Sequence, residues 1–355
     1  MSKIKIGIIG VGNCASSLVQ GLNYYLKKDF IGLLHPNLKG YSIKDIDVVC
    51  AIDVDQRKVG KPISKAIFSR PNCTTIFCKD IKEKVIVQMG PILDGLSGHV
   101  IDNSLDKKVI PSTKEPVDII NLFKKTKPDF VICYLPVGSS DAVKFYADAA
   151  IKANVGFINA MPVFIASDKK WIDKFKSAKL LVFGDDVKSQ IGATIIHRVL
   201  VNLFLERGCL LKNTYQLNIG GNTDFLNMMN KERLKLKWES KINSVNSQYD
   251  YKLNNLYAGP AEYIHYLNDN KIAYINLRGL GFGGQPIDIE LKLSVTDSPN
   301  SAGVIIDIIR LAKIAKDRNL VGTVPIINNY GFKTNNEQYT DDFVFKKLKK
   351  WIYEK

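Results

Sequence analysis

Two lysines four residues apart, Lys237 and Lys241, close a segment whose side chains could stabilise negative charge formed during a reaction. They follow a strand-like run over 215–219, two glycines, Gly220 and Gly221, and the polar side chains Asn222, Thr223 and Asp224. On a helix this spacing puts both ammonium groups on one face, where they repel by roughly a few tenths of a kcal/mol. A solvated surface tolerates that repulsion, and an anion between the two lysines turns it into attraction. Spacing alone fits either use, because Lys231, Arg233 and Lys235 are close by and charge runs of this kind commonly face water.

A second motif lies near the start of the chain. Gly10, Val11, Gly12, Asn13, Cys14 and Ala15 match a Gly-x-Gly-x-x-Gly/Ala turn placed directly after a β-branched run and opening a helical pattern. The first glycine allows a tight turn, the second lets backbone N–H groups approach a pyrophosphate, and Ala15 allows the helix to pack close on the strand. The helix N-terminus attracts the phosphates. Asp53, at the end of the next parallel-strand run, is the candidate acid for a ribose hydroxyl, which favours NAD and repels the 2′-phosphate of NADP. It arrives later than the usual spacing because residues 22–46 intervene, and a surface aspartate at a strand end would look the same.

These groups need elements to position them. The apolar run 4–9 reads as a strand buried on both faces, and 15–26 carries helical periodicity. Strand-like runs recur at 48–52, 130–134, 155–159 and 181–184, with helical patterns such as 139–153 and 168–177 between them. Strands alternating with helices predict an α/β fold, a doubly wound Rossmann-type parallel sheet. After Leu205 the pattern changes: 214–219, 262–278 and 287–296 read as longer strands with period-two alternation, so a mostly antiparallel α+β layer is expected as an insertion. Helical periodicity returns at 302–318. The pattern divides the chain into 1–205, an inserted layer over 206–296, and 297–355.

Composition narrows the function further. The 355 residues suit two domains, and 46% hydrophobic residues are ordinary for a chain with a sizeable core. No apolar run approaches the roughly 20 residues of a membrane span, and the chain enters a strand pattern by Ile4, without a signal-peptide pattern. The net charge of +15 suggests nucleic acid, but only eight of the 50 basic residues are arginine, and phosphate and base readout favours arginine forks. No nucleic-acid or membrane partner is expected. Six cysteines without a Cys-x-x-Cys pair read as buried small hydrophobes in a reducing cytoplasm, and four scattered histidines give no metal-ligand spacing.

Residues 218–241 resemble the active-site signature of the myo-inositol-1-phosphate synthase (inositol-3-phosphate synthase) family, at Gly221, Asn222, Asp224, Asn227, Lys237 and Lys241. The dinucleotide turn continued to Ser17 carries the same likeness, closest to the bacterial and archaeal branch. So do Tyr134-Leu135-Pro136-Val137-Gly138, the stretch from Asn159 and Ala160 to Phe164, Gly184 to Ser189, and Asp297 to Gly303. The resemblance implies conversion of glucose 6-phosphate to an inositol monophosphate without net oxidation. In that family NAD takes a hydride from C5, the C6 enolate attacks the C1 aldehyde, and the hydride returns to C5.

Such chemistry needs cations at O5 and O1 and an anchor for the phosphate. The resemblance assigns Lys237 to O5, Lys271 and Lys333 to O1 and the phosphate, and Lys241 to supporting charge, with Asp224 and Asp297 orienting the lysines or holding a metal. It places Tyr134, Leu135, Pro136 and Gly138 over the nicotinamide side, and Asn159, Ala160, Asp185, Asp186 and Lys188 along the same crevice. Asp185 could also cap the helix that follows. The turn through Lys188, Ser189, Gln190, Gly192, Ala193 and Thr194 is expected to bind phosphate at a helix N-terminus. A divalent cation, Zn or Mg, is a further expectation. The resemblance also implies that 297–355 rejoins 1–205 as a discontinuous NAD-binding Rossmann domain and that 206–296 is the catalytic and tetramerisation domain of a homotetramer. The residues also leave room for a sugar-phosphate dehydrogenase that releases NADH, an NAD sensor binding nucleic acid, or a Schiff base on Lys237 or Lys333.

Overall fold

The computed structural model describes residues 3–26, 30–96, 108–229, 235–248 and 255–354, with the backbone alone at 235–239. In chain order the strands are β1 (Ile4–Ile9), β2 (Asn37–Leu38), β3 (Tyr41–Ser42), β4 (Ile46–Asp53), β5 (Val87–Met89), β6 (Phe130–Cys133), β7 (Gly156–Asn159), β8 (Val182–Phe183), β9 (Leu210–Gly220), β10 (Asn255–Tyr263), β11 (Asn270–Leu280) and β12 (Pro286–Thr296). The helices are α1 (Asn13–Tyr24), α2 (Ile63–Ala66), α3 (Ile119–Thr126), α4 (Ser140–Lys152), α5 (Lys169–Ser177), α6 (Ala193–Glu206), α7 (Thr223–Asn227), α8 (Lys235–Asn246), α9 (Asp297–Asp317), α10 (Pro325–Gly331) and α11 (Asp341–Tyr353).

Six strands form a parallel sheet in the order β5-β4-β1-β6-β7-β8. Ile4, Ile6, Ile8 and Ile9 are fully buried, because β1 sits in the middle of the sheet with helices on both faces. One face is covered by α1, α9 and α11, whose Leu18, Ile305 and Leu348 share a core with the strands. The other is covered by α3, α4 and α5 through Phe123, Val143 and Phe175. The strand order reverses between β4 and β6 around β1, and the carboxyl edge at that point is where doubly wound sheets take ligands.

The second sheet runs β10-β9-β11-β12. β9/β11 and β11/β12 are antiparallel as expected, but β9/β10 is parallel. The chain between them carries α7 and α8, and a helical crossover returns the next strand in the same direction. The strand expected over 262–278 is two: β10 ends at Tyr263, a 3₁₀ turn covers His265–Leu267, and β11 starts at Asn270. Asn268 takes φ +51° at this break, a conformation asparagine tolerates better than most residues. α6 packs on this sheet, its Val201 and Phe204 sharing a cluster with Leu211, Ile275 and Leu277. In the stretch 22–46, β2 and β3 form a short hairpin.

Candidate active site

The dinucleotide turn has the predicted local form. Gly10 takes φ +88°, and a Cβ there would come within 2.8 Å of the Tyr134 carbonyl oxygen, so glycine is required. Its N–H donates to Ile52 O at 2.9 Å. Asp53 holds the same turn: Oδ2 accepts from Val11 N at 2.7 Å, and Oδ1 from Val54 N and Asp55 N at 2.7 and 2.8 Å. Lys58, 4% exposed, lies 3.7 Å from Asp53 and softens its negative field. Asn13 grips the neighbouring loop, its Oδ1 accepting from Cys73 N and Thr74 N, while Asn72 Nδ2 donates to Val11 O at 3.0 Å. Val11 and Ala15 are fully buried beneath the turn.

One continuous cavity joins this turn to the lysines. Its wall includes Gly10, Gly12, Asn13, Cys14, Asp53, Tyr134, Leu135, Pro136, Ala160 and Asp186, then Ser189, Gly192, Ala193 and Thr194, and finally Asn222, Asp224, Lys241, Lys271, Asp297 and Lys333. Two observations fit a dinucleotide in the first part. A Cβ at Gly12 would meet nothing within 4 Å, which leaves backbone and space for a pyrophosphate. Among the described residues the buried Tyr134 hydroxyl has no hydrogen-bond partner, and burial raises its pKa well above the usual value, so it is a neutral donor at neutral pH. Cys14 is likewise kept neutral, its pKa pushed up to about 12 by burial and by Asp269 and Asp297.

At the other end α6, with Gly192 as N-cap, points its first residues into the cavity. Fourteen residues of aligned peptide dipole and the free N–H groups of its first turn make an anion site. Lys333 Nζ lies 2.7 Å from Asp186 Oδ1, and Ser240 Oγ donates to Asp186 Oδ2 at 2.9 Å. Lys271 Nζ lies 3.1 Å from Asp297 Oδ1. Lys241 is 4% exposed, deep enough for its charge to act in a low-dielectric wall. Asn222 caps α7, accepting from Asp224 N and Phe225 N, and its amide donates to Asp269 at 3.0 Å. The side chain of Lys237 lies outside the described residues, as do Lys231 and Arg233; the α8 backbone places position 237 one turn before Lys241.

Several expected residues are not part of the cavity wall. Asp185 is fully buried and accepts from Asn159 Nδ2, from Ile165, Ala166 and Ser167 N, and from Ser167 Oγ. It therefore anchors the 165–167 turn with Asn159 instead of facing a nicotinamide or capping α6, and burial lifts its pKa to about 6. Lys188 is 2% exposed and paired with Asp341 at 3.0 Å, which takes it away from cofactor and phosphate alike. Gln190 turns its amide to Gly32 O and packs against Gly303. Gly138 instead shapes the loop, with φ +83°.

The divalent-cation expectation finds no support. Among the described residues no group of three or more His, Cys, Asp or Glu side chains could hold an ion. Asp297 faces Lys271, and the Asp224 backbone serves the α7 cap, so the donor set is built around ammonium groups. Sequence reasoning also missed Gln216, Asn218 and Asp269. The signal was present in β9, where Thr214, Gln216 and Asn218 alternate as buried polar residues; Gln216 and Asn218 reach the cavity wall. Asp269 binds Asn222, Ser298 Oγ and Ser298 N, and burial raises its pKa.

The chain is similar to known proteins along its whole length. The description "Myo-inositol-1-phosphate synthase" belongs to the family profile that matches residues 192–298, the stretch from the α6 N-cap to the start of α9. An inositol-3-phosphate synthase of Mycobacterium tuberculosis is 47% identical over 357 aligned residues, covering 99% of this chain and 96% of that one. One from Corynebacterium glutamicum is 45% identical, covering 99% of both chains. The solved structure of Ari2 superposes with a TM-score of 0.78 at 31% identity, covering 99% of this chain and 100% of the other. Likeness of this extent, along nearly the whole of both chains, places the chain in the myo-inositol-1-phosphate synthase family.

Proposed function

We propose that the protein converts D-glucose 6-phosphate to 1D-myo-inositol 3-phosphate in the cavity between Gly10 and Lys333, with NAD bound at the dinucleotide turn. The observation that carries this reading is the continuity of one cavity from that turn to Lys241, Lys271 and Lys333, with the α6 N-terminus between them. Bound NAD supplies a hydride acceptor at C5 that is regenerated within the cycle. All other steps fall to the chain. Gly12 backbone and the α1 N-terminus receive the pyrophosphate, and Asp53, already fixed to Val11 N, offers its remaining acceptor capacity to a ribose hydroxyl.

The substrate phosphate sits at Ser189, Gly192, Ala193 and Thr194, held by the α6 dipole. Lys237, on the same helix as Lys241, stabilises the oxyanion at O5 and moves its proton. Lys271 and Lys333 meet the charge that develops at O1 when the ring closes, and Lys241 adds supporting charge. Asp297 and Asp186 aim two of these ammonium groups, since each lies within 3.1 Å of one. Cations fixed in advance in a water-poor wall act mostly on the transition state, where the oxygens carry charge, and less on the neutral ground state.

Residues 1–205 and 297–355 serve as the nucleotide-binding domain and 206–296 as the catalytic and tetramerisation domain. Tyr215, Tyr257 and Tyr274 are about 40% exposed on the second sheet, an aromatic face suited to a homotetramer. Six free cysteines are consistent with a cytoplasmic enzyme. Incubating the protein with glucose 6-phosphate and NAD and assaying periodate-released phosphate tests the reading; release without net NADH supports it, and stoichiometric NADH contradicts it.

A further inference from the structure

One buried cluster of charge lies behind the cavity wall and has no part in the chemistry above. Lys188 and Arg198 are 2% and 1% exposed, and both meet the carboxylate of Asp341, the first residue of α11. Lys188 Nζ lies 3.0 Å from Oδ1, and Arg198 Nε donates to Oδ2 at 2.7 Å. The guanidinium goes on to Ser244 O at 2.6 Å, Ser244 Oγ at 3.2 Å, Ser247 Oγ at 3.1 Å and Tyr339 O at 2.7 Å. A planar fork with five donors is the side chain that can hold two segments in one fixed geometry.

Those segments carry the lysines. Ser244 is one turn after Ser240 in α8, and Ser240 is held by Asp186 and by Thr334 Oγ1 at 2.8 Å. The helix is thus gripped at two successive turns, with Lys241 between them and position 237 one turn before. Thr334 follows Lys333, and Tyr339 and Asp341 end the same segment. Lys188 belongs to the turn leading into α6.

We propose that Asp341 is a positioning residue for the reaction: through Arg198 and Lys188 it locks the segment carrying Lys333 and the turn into α6 against the helix carrying Lys237 and Lys241. This rests on the function proposed above. Buried ion pairs add little net stability compared with apolar packing, but removing one member leaves buried charge and lets the remaining groups move. Burial lowers the Lys188 pKa to about 8 despite Asp341 beside it. Burial alone would raise Asp341, but the two cations outweigh it and hold its pKa below the ordinary carboxylate value.

The test uses the full-length protein with Asp341→Asn, which keeps the shape and loses the charge, and Asp341→Glu, which keeps the charge. NAD-competent sites are counted by calorimetry, glucose 6-phosphate turnover is expressed per site, and amide exchange is followed in 235–246 and 331–341. Asp341→Asn should lose at least about tenfold in kcat per site, since misplacement of the order of 1 Å costs up to roughly 10²-fold. Both segments should exchange faster, and Asp341→Glu should recover most of the activity and the protection. Unchanged turnover per site in Asp341→Asn, or a loss seen only in melting temperature, overturns the proposal. If Asp341→Asn does not fold, Arg198→Lys, which keeps charge and loses the fork, is judged by the same criteria. Faster exchange in a protein whose native form makes no inositol phosphate would leave the clamp standing and refute the function; unchanged exchange in an active enzyme would refute the clamp alone.

Discussion

Replacing Lys333 by methionine separates the chemical from the structural use of a buried cation. Lys333 and Asp186 pair at 2.7 Å with side chains 12% and 6% exposed. Removing one partner of a buried pair costs about 3–5 kcal/mol. The lower end applies, because Asp186 keeps the Ser240 hydroxyl at 2.9 Å. At roughly 2 °C per kcal/mol for a large chain, Lys333→Met should lower the melting temperature by about 6 °C. Turnover should fall on the order of 10²–10³-fold, as for loss of one preorganised group at a developing oxyanion. Adding Asp186→Asn removes the carboxylate charge that Lys333 balanced, so the double variant should regain most of the stability and none of the turnover. Calorimetric melting and periodate-released phosphate read the two quantities. Recovery of activity together with stability would show that Lys333 is only a structural partner of Asp186, and the chemical role given to it would be refuted.

Lys237→Ala should remove most of the turnover with NAD binding intact, Lys241→Ala should cost less, and Lys235→Ala on another helical face should be nearly silent; equal damage from Lys235→Ala in the phosphate assay would mean the helix register is wrong. Asp53→Ala should weaken NAD binding by calorimetry through two losses, the ribose acceptor and the bond that holds Val11 N; unchanged affinity refutes the assignment. His197, buried between Thr214 and Gln216, has its pKa lowered to about 4 by burial, whereas the unfolded imidazole binds its proton near 6.5. The unfolded chain therefore holds more protons between these values, and this residue's contribution to stability falls as pH drops from about 6.5 to about 4. In His197→Gln, denaturant titrations across that window should show a smaller acid loss than in the native protein, and an identical loss would contradict the assignment.

The parallel sheet was legible because its strands are short β-branched runs between helical patterns, and Gly10 announced the turn through the φ only glycine takes easily. The parallel pairing of β9 with β10 was not legible, since it depends on the crossover through α7 and α8 and not on either strand's own pattern. The break at Asn268 was hidden because residues on both sides of it keep strand composition. Within the site, the candidate lysines were chosen by likeness and spacing, while the partners of Lys271 and Lys333 were only partly anticipated. Asp185 and Asp186 are adjacent and chemically identical, yet one is consumed by the 165–167 turn and the other faces Lys333. Lys188 looks like its neighbours in sequence, and only the arrival of Asp341 from 153 positions away decides that it is buried as an ion pair.

A redox cycle that closes on the same substrate carbon leaves an isotopic signature. Glucose 6-phosphate deuterated at C5 is incubated with the protein and a small amount of unlabelled NAD, and the inositol phosphate formed is analysed by mass spectrometry and NMR. The deuterium should stay at the carbon derived from C5, with no accumulation of labelled NADH. Deuterium collected in NADH in proportion to substrate consumed, with no inositol phosphate, would contradict such a cycle.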